Sequence, residues 1–193
     1  MEMINVAHYW IRSIATKRVR SFWIAFTFLI ITALGMRPSS SCLLTSSTPM
    51  AIVDLELAFD QATAISIKKL WTAHECDSKS AISSNAIEAA TINIILDFAF
   101  IMAYAWFFIV LVALTQHKDA LEMDKLTLLG CYGALTASTL DIIENIFMLI
   151  FLIVGEISSL WFAIPATIKF AIIALLIIWV LIRIVVRQFK KVS

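Results

Sequence analysis

Asp141, Glu144 and Asn145 stand three and four residues apart inside Leu128 to Val154, LLGCYGALTASTLDIIENIFMLIFLIV, a stretch otherwise made of apolar and small residues. Carboxylates at such spacing can hold or pass a proton, bind a cation, pair with an ammonium, or act as acid and base in hydrolysis. At about 1.5 Å per residue the stretch is long enough to cross a hydrocarbon core of about 30 Å, where a carboxylate costs at least a few kcal/mol. Partners must offset that cost. Asp97 and Tyr104, together with Asn93, share a face of the preceding apolar run, and Lys169 lies within the following one. Counted from the same end of each run, Asp97, Glu144 and Lys169 lie at similar depth, with Asp141 one turn, about 5.4 Å, deeper. Three acids against one lysine leave two negative charges, so such a cluster must take up protons, bind a cation or admit water. The spacing pairs Lys169 with Glu144 and turns Asp141 and Asn145 toward Asp97 and Tyr104.

These groups must be carried by helices. Gly130, Ala134, Ala137, Asp141, Glu144, Asn145 and Met148 recur at three- and four-residue steps, while Leu, Ile and Phe fill the opposite side. Small and polar residues on one stripe mark the face that meets other helices in a membrane. Apolar residues form 61% of the chain and the mean hydropathy is +0.92, far above a soluble domain. The composition therefore specifies an integral membrane protein of one domain, residues 1–193, an all-α bundle of four transmembrane helices at about 21–37, 88–114, 128–154 and 160–187. A net charge of +1 gives no reason to propose nucleic acid as a partner. His8, His74 and His117 fall outside the apolar runs, no CxxC pair is present, and neither a metal nor a cofactor is implied.

Arg12, Lys17, Arg18 and Arg20 precede the first apolar run, Phe22 to Met36. A basic segment before a short apolar run also fits a signal peptide; the adopted reading is a retained helix with Arg37 reaching the interface. Residues 38–84 form an extramembrane cap opening with the turn-rich RPSSSCLLTSSTPM. Val53, Leu55, Leu57 and Phe59 alternate with Asp54, Glu56 and Asp60, which predicts a short extended stretch. Asp60 then caps an amphipathic helix over Gln61 to His74, with Ile67, Leu70, Trp71 and His74 on one side and Lys68 and Lys69 on the other. Asn85 with Glu88, and Asp119 with Glu122, mark the starts of the second and third long helices. Gly155 ends the third, Ser158 or Ser159 opens the fourth, and Pro165 bends it.

Ten Lys and Arg residues lie at the two termini and in the loop between the second and third helices, against Arg37, Lys68, Lys69 and Lys79 on the other side. By the positive-inside rule both termini are cytoplasmic and the cap is outside. In a bacterial inner membrane this places Cys42 and Cys76 in an oxidising space, where a disulfide between them would close the cap. Cys131 lies within a span and reads as a small packing residue.

The segment DLELAF at 54–59 with Trp71 downstream, DFAFIMAY at 97–104, and LDIIEN at 140–145 together resemble a group of small bacterial integral membrane proteins with four predicted spans. The likeness covers roughly residues 50–155. It implies four spans and singles out Asp54, Glu56, Trp71, Asp97, Asp141, Glu144 and Asn145, without an activity for any of them. The functional expectation is a small inner-membrane protein acting as an accessory, assembly or sensing component. The alternatives are an ion- or proton-coupled transporter or channel subunit, and an intramembrane enzyme using paired carboxylates, for which no catalytic residue can be named. The partners expected are the lipid bilayer and a second copy or a larger membrane complex.

Overall fold

The computed structural model describes residues 18–76, 83–116, 124–155 and 157–192, with side chains described only as far as Val186. The expected cap pair Asp119 and Glu122, and the basic residues Arg12, Lys17, Lys79 and Lys118, lie outside the described residues, and the side chains of Arg187, Lys190 and Lys191 lie outside what is described. Among the described residues six helices follow in order: α1 (Arg18–Leu43), α2 (Ile52–Glu56), α3 (Gln61–Ala73), α4 (Ala86–Leu114), α5 (Lys125–Ile153) and α6 (Leu160–Val192). No strand occurs among the described residues beyond an isolated bridge between Glu75 and Asn85. Four helices, α1, α4, α5 and α6, are long and apolar enough to cross a membrane.

Polar side chains set the helix starts. Asp60, Asn85 and Asp124 each accept a hydrogen bond from the backbone N–H three residues on, at 3.0, 2.9 and 2.6 Å, relieving donors that have no partner in the first turn. Glu88 accepts from the N–H and the hydroxyl of Ser84, one residue before the Asn85 cap, at 3.2 and 3.1 Å, a variant of the capping box. The start of α5 is thus set by Asp124. Burial acts against the Asp124 carboxylate, but the Arg183 guanidinium at 2.6 Å and Thr127 outweigh it and hold the group below the ordinary aspartate range. This cap accordingly stabilises above that range and is lost as pH falls through the lowered value. At the far end of α5, Gly155 takes φ +83°, a conformation open to glycine without a Cβ clash.

Two expectations need correction. Helix α1 does not stop at Met36 but continues through Pro38 and the serines to Leu43. The side-chain amide of Asn93 of α4 donates to Ser39 Oγ and Ser40 Oγ at 2.8 Å each, so residues 37–43 of the expected linker are a docked helix end, while 44–50 form turns as expected. Residues 52–56 are helical and not extended. The Asp54 carboxylate accepts the Met50 N–H at 2.7 Å, and burial falls on Ala51, Leu55 and Ala58, a three-and-four spacing that coexists in sequence with the alternating one.

The long helices pack in chain order, α1 on α4, α4 on α5 and α5 on α6. Gly130, Ala134, Ala137, Asp141, Glu144, Asn145 and Met148 are all buried, which makes the small-and-polar stripe of α5 its contact face. A Cβ added at Gly130 would lie 2.9 Å from a Val112 methyl and 3.2 Å from the Trp179 ring, so this glycine sets how closely α4 and α6 approach α5. At one end of the long helices, residues 42–71 pack over the start of α4, the end of α5 and the start of α6, with Leu55, Trp71, Phe151 and Phe162 fully buried. Several polar bonds pin this segment. Gln61 reaches the turn before α6 through the Ile157 carbonyl at 3.1 Å and the Ser159 N–H at 2.6 Å. Lys68, expected on the outer side of its helix, donates to the Phe151 carbonyl at 2.9 Å. The Trp71 indole donates to Thr48 at 3.4 Å. Cys42 and Cys76 are joined by a disulfide with Cα atoms 5.3 Å apart.

Two outcomes follow for stability. Replacing both Cys42 and Cys76 by Ser frees a loop spanning 34 positions; loop-closure entropy puts the loss near 4 kcal/mol, read as a lower melting temperature in detergent. Gly130→Leu should cost about 1–3 kcal/mol by overpacking, whereas Gly35→Leu, on open space in α1, should leave the melting temperature almost unchanged.

Candidate functional site

Between the packed end described above and a second apolar cluster around Val112, Cys131, Ala134, Leu176 and Val180 lies the polar site. Its centre is the ammonium of Lys169, 4% exposed, carried into the interior by α6. Three carboxylates converge on that nitrogen: Asp141 Oδ1 at 2.6 Å, Glu144 Oε2 at 2.7 Å and Glu56 Oε2 at 3.3 Å. The Phe170 ring lies 4.9 Å from the same ammonium. Asp141 is the best satisfied acid, because its second oxygen accepts the Tyr104 hydroxyl at 2.9 Å. Glu144 is fully buried, and its Oε1 has no hydrogen-bond partner.

Beside this centre, Asn145 donates to Asp97 Oδ2 at 2.7 Å. Asp97 is half-buried at the edge of the cluster, whereas Asn145 is 1% exposed. Asp97, Tyr104, Asp141, Glu144, Asn145 and Lys169 are thus contiguous across three helices. Asn93 stands apart from them, turned to the serines of α1. Asp54 is spent on the turn before α2 and faces a surface groove of about 470 Å3. Trp71 packs in the core. A second groove of about 450 Å3 runs past Lys68, Lys69 and Phe151. Neither groove is lined by residues of the cluster.

Glu56 is the member that sequence reasoning assigned elsewhere. Placed in the cap by its position between the first two apolar runs, it is 7% exposed and within reach of Lys169. The usable signal was the helical spacing of Ala51, Leu55 and Ala58, which turns the residue after Leu55 partly inward. Burial pushes the Glu56 carboxyl above the ordinary glutamate range; Lys169 pulls it back and Asp141 pushes it further up.

Lys169 Nζ occupies the point on which the three carboxylates converge. Among the described residues no set of three or more His, Cys, Asp and Glu side chains is disposed to hold a metal ion. What the arrangement can do chemically is keep an ammonium and a variable number of protons in an apolar interior. The chain matches no protein-family model, no curated protein and no solved structure, so the likeness to small bacterial membrane proteins rests on its short motifs alone.

The bonding pattern ranks the acids. Asp141→Asn removes the carboxylate that holds both Lys169 and Tyr104 and should lower stability by about 3–5 kcal/mol, the usual penalty for breaking a buried ion pair. Glu144→Gln, at a side chain with one oxygen already unpartnered, should cost about 1 kcal/mol. Thermal melts in detergent measure both, and equal, negligible shifts for Asp141→Asn, Glu144→Gln and Lys169→Met would mean that no such network exists.

Proposed function

We propose that the chain is a small multi-pass protein of a bacterial inner membrane, acting as an accessory or sensing component. In this reading α1, α4, α5 and α6 form a membrane-spanning bundle with both termini cytoplasmic, and residues 38–84 form an outer cap. The observation that carries it is Glu56: a residue from the segment between the first two spans shares the ammonium of Lys169 with Asp141 and Glu144. The state of the buried cluster is thereby coupled to the position of the extramembrane segment. A sensor needs such a link, because a change in charge at the site has a packed element to move.

Proton-coupled transport is the second reading, favoured by the unpartnered Oε1 of Glu144, a buried acceptor to which a proton can be delivered.

The topology is tested by cysteine-accessibility labelling in intact cells, with cysteines introduced at Ser80 and Lys190. Residue 80 should react with an impermeant reagent from outside, and residue 190 only after the membrane is opened. The reverse pattern overturns the orientation, and with it the oxidising setting assumed for Cys42 and Cys76.

A further inference from the structure

The cluster is crowded with acid around one base. Glu56 of α2, Asp141 and Glu144 of α5 all contact Lys169 of α6, and α4 adds Asp97 and Tyr104 at the side. Lys68 of α3 is occupied by the Phe151 carbonyl. With every acid ionised, the three carboxylates on Lys169 leave two uncompensated negative charges among side chains less than a tenth exposed, which an apolar interior does not sustain. A metal cation cannot supply the missing charge, because the ammonium already fills the centre. Protons remain.

Their location follows from the bonds each acid makes. Asp141 accepts from Lys169 on one oxygen and from Tyr104 on the other, the arrangement of a carboxylate. Glu144 has an oxygen with no donor, and the Glu56 oxygen nearest Lys169 stands farther off, at 3.3 Å. A carboxyl that keeps its proton requires fewer donors than a carboxylate.

We propose that Glu56 and Glu144 both carry a proton at neutral pH, leaving Asp141 and Lys169 as the charged pair, and that losing these protons releases α2 from the site. The proposal deepens the sensing reading by naming what is sensed, proton activity on the side of the membrane that residues 52–76 face. Each step is a simple ionisation: a carboxyl O–H bond breaks, the electron pair stays on the oxygen, and the proton passes to water as α2 lifts. The direction is fixed by linkage. Glu56 is raised above its ordinary value in the folded protein, so its contact is fully stabilising below that ordinary value and weakens as pH rises toward the folded one.

The test is infrared spectroscopy of the full-length, disulfide-closed protein in lipid nanodiscs, with hydrogen exchange measured on the same samples. At neutral pH the spectrum should contain a carbonyl stretch of protonated carboxyl groups that shifts only slowly in D2O. Part of that band should vanish in Glu144→Gln and another part in Glu56→Gln, while Asp54→Asn leaves it whole. Absence of the band from the unmodified protein overturns the proposal even if neither variant folds, and so does a band that both Gln variants leave intact. Amide protection across residues 52–73, corrected for the intrinsic pH dependence of exchange, should fall as pH rises in the unmodified protein and become flat in Glu56→Gln. A band assigned to Glu56 and Glu144 with pH-independent protection would support the proton site and sink the sensing reading; pH-dependent protection that survives Glu56→Gln would overturn the release of α2.

Discussion

An ammonium held in an apolar interior constrains everything around it. Lys169 sits on a helix whose residues around it are mostly apolar, and an unpaired charge at such a position costs at least a few kcal/mol. Its charged partners cannot come from its own helix, which carries no acidic residue. They are drawn from two elements, Asp141 and Glu144 on α5 and Glu56 on α2. A one-residue rotation of α5 would turn those carboxylates away from Lys169 and leave it alone, so the register of α5 against α6 is fixed electrostatically as well as by shape. Tyr104 extends the same constraint to α4 through Asp141.

Bringing Glu56 into place requires that residues 42–76 be tightly held, because a five-residue helix has little stability of its own. The disulfide closes the segment, Gln61 clamps the start of α3 to the turn before α6, and Trp71 fills the core beneath. The charge in the interior and the packing at this end support each other. Loss of either leaves the other with an unsatisfied group or an exposed apolar face.

Much of this was legible in the sequence, for identifiable reasons. Hydropathy and length locate the four long helices, since few other structures keep so many apolar residues in uninterrupted runs. The three-and-four spacing from Gly130 to Met148 marks the contact face of α5, and Asp60, Asn85 and Gly155 mark helix ends by local hydrogen-bonding chemistry. What failed was tertiary in origin. Pro38 and three serines read locally as a linker, and the Asn93 amide that docks that turn as helix lies more than fifty residues away. The segment from Val53 to Phe59 fits periods of two and of three-and-four equally well, and its helical state depends on the surface that Leu55 and Ala58 bury against. Glu56 was assigned to the cap for the same reason, because charge and chain position argued for exposure while its partner lies 113 positions on in the sequence.

The account stands on Glu56 sharing the ammonium of Lys169. Solid-state NMR of lipid-reconstituted protein, recoupling the 15N of the Lys169 side chain with 13C-labelled glutamate and aspartate carboxyl carbons, measures that contact directly. Couplings from Lys169 Nζ to the carboxyl carbons of Asp141, Glu144 and Glu56 are expected, the last the weakest at an oxygen distance of 3.3 Å. A spectrum in which Asp141 and Glu144 couple to Lys169 while Glu56 does not would contradict it, leaving a helix-register lock with no tie to the segment between α1 and α4.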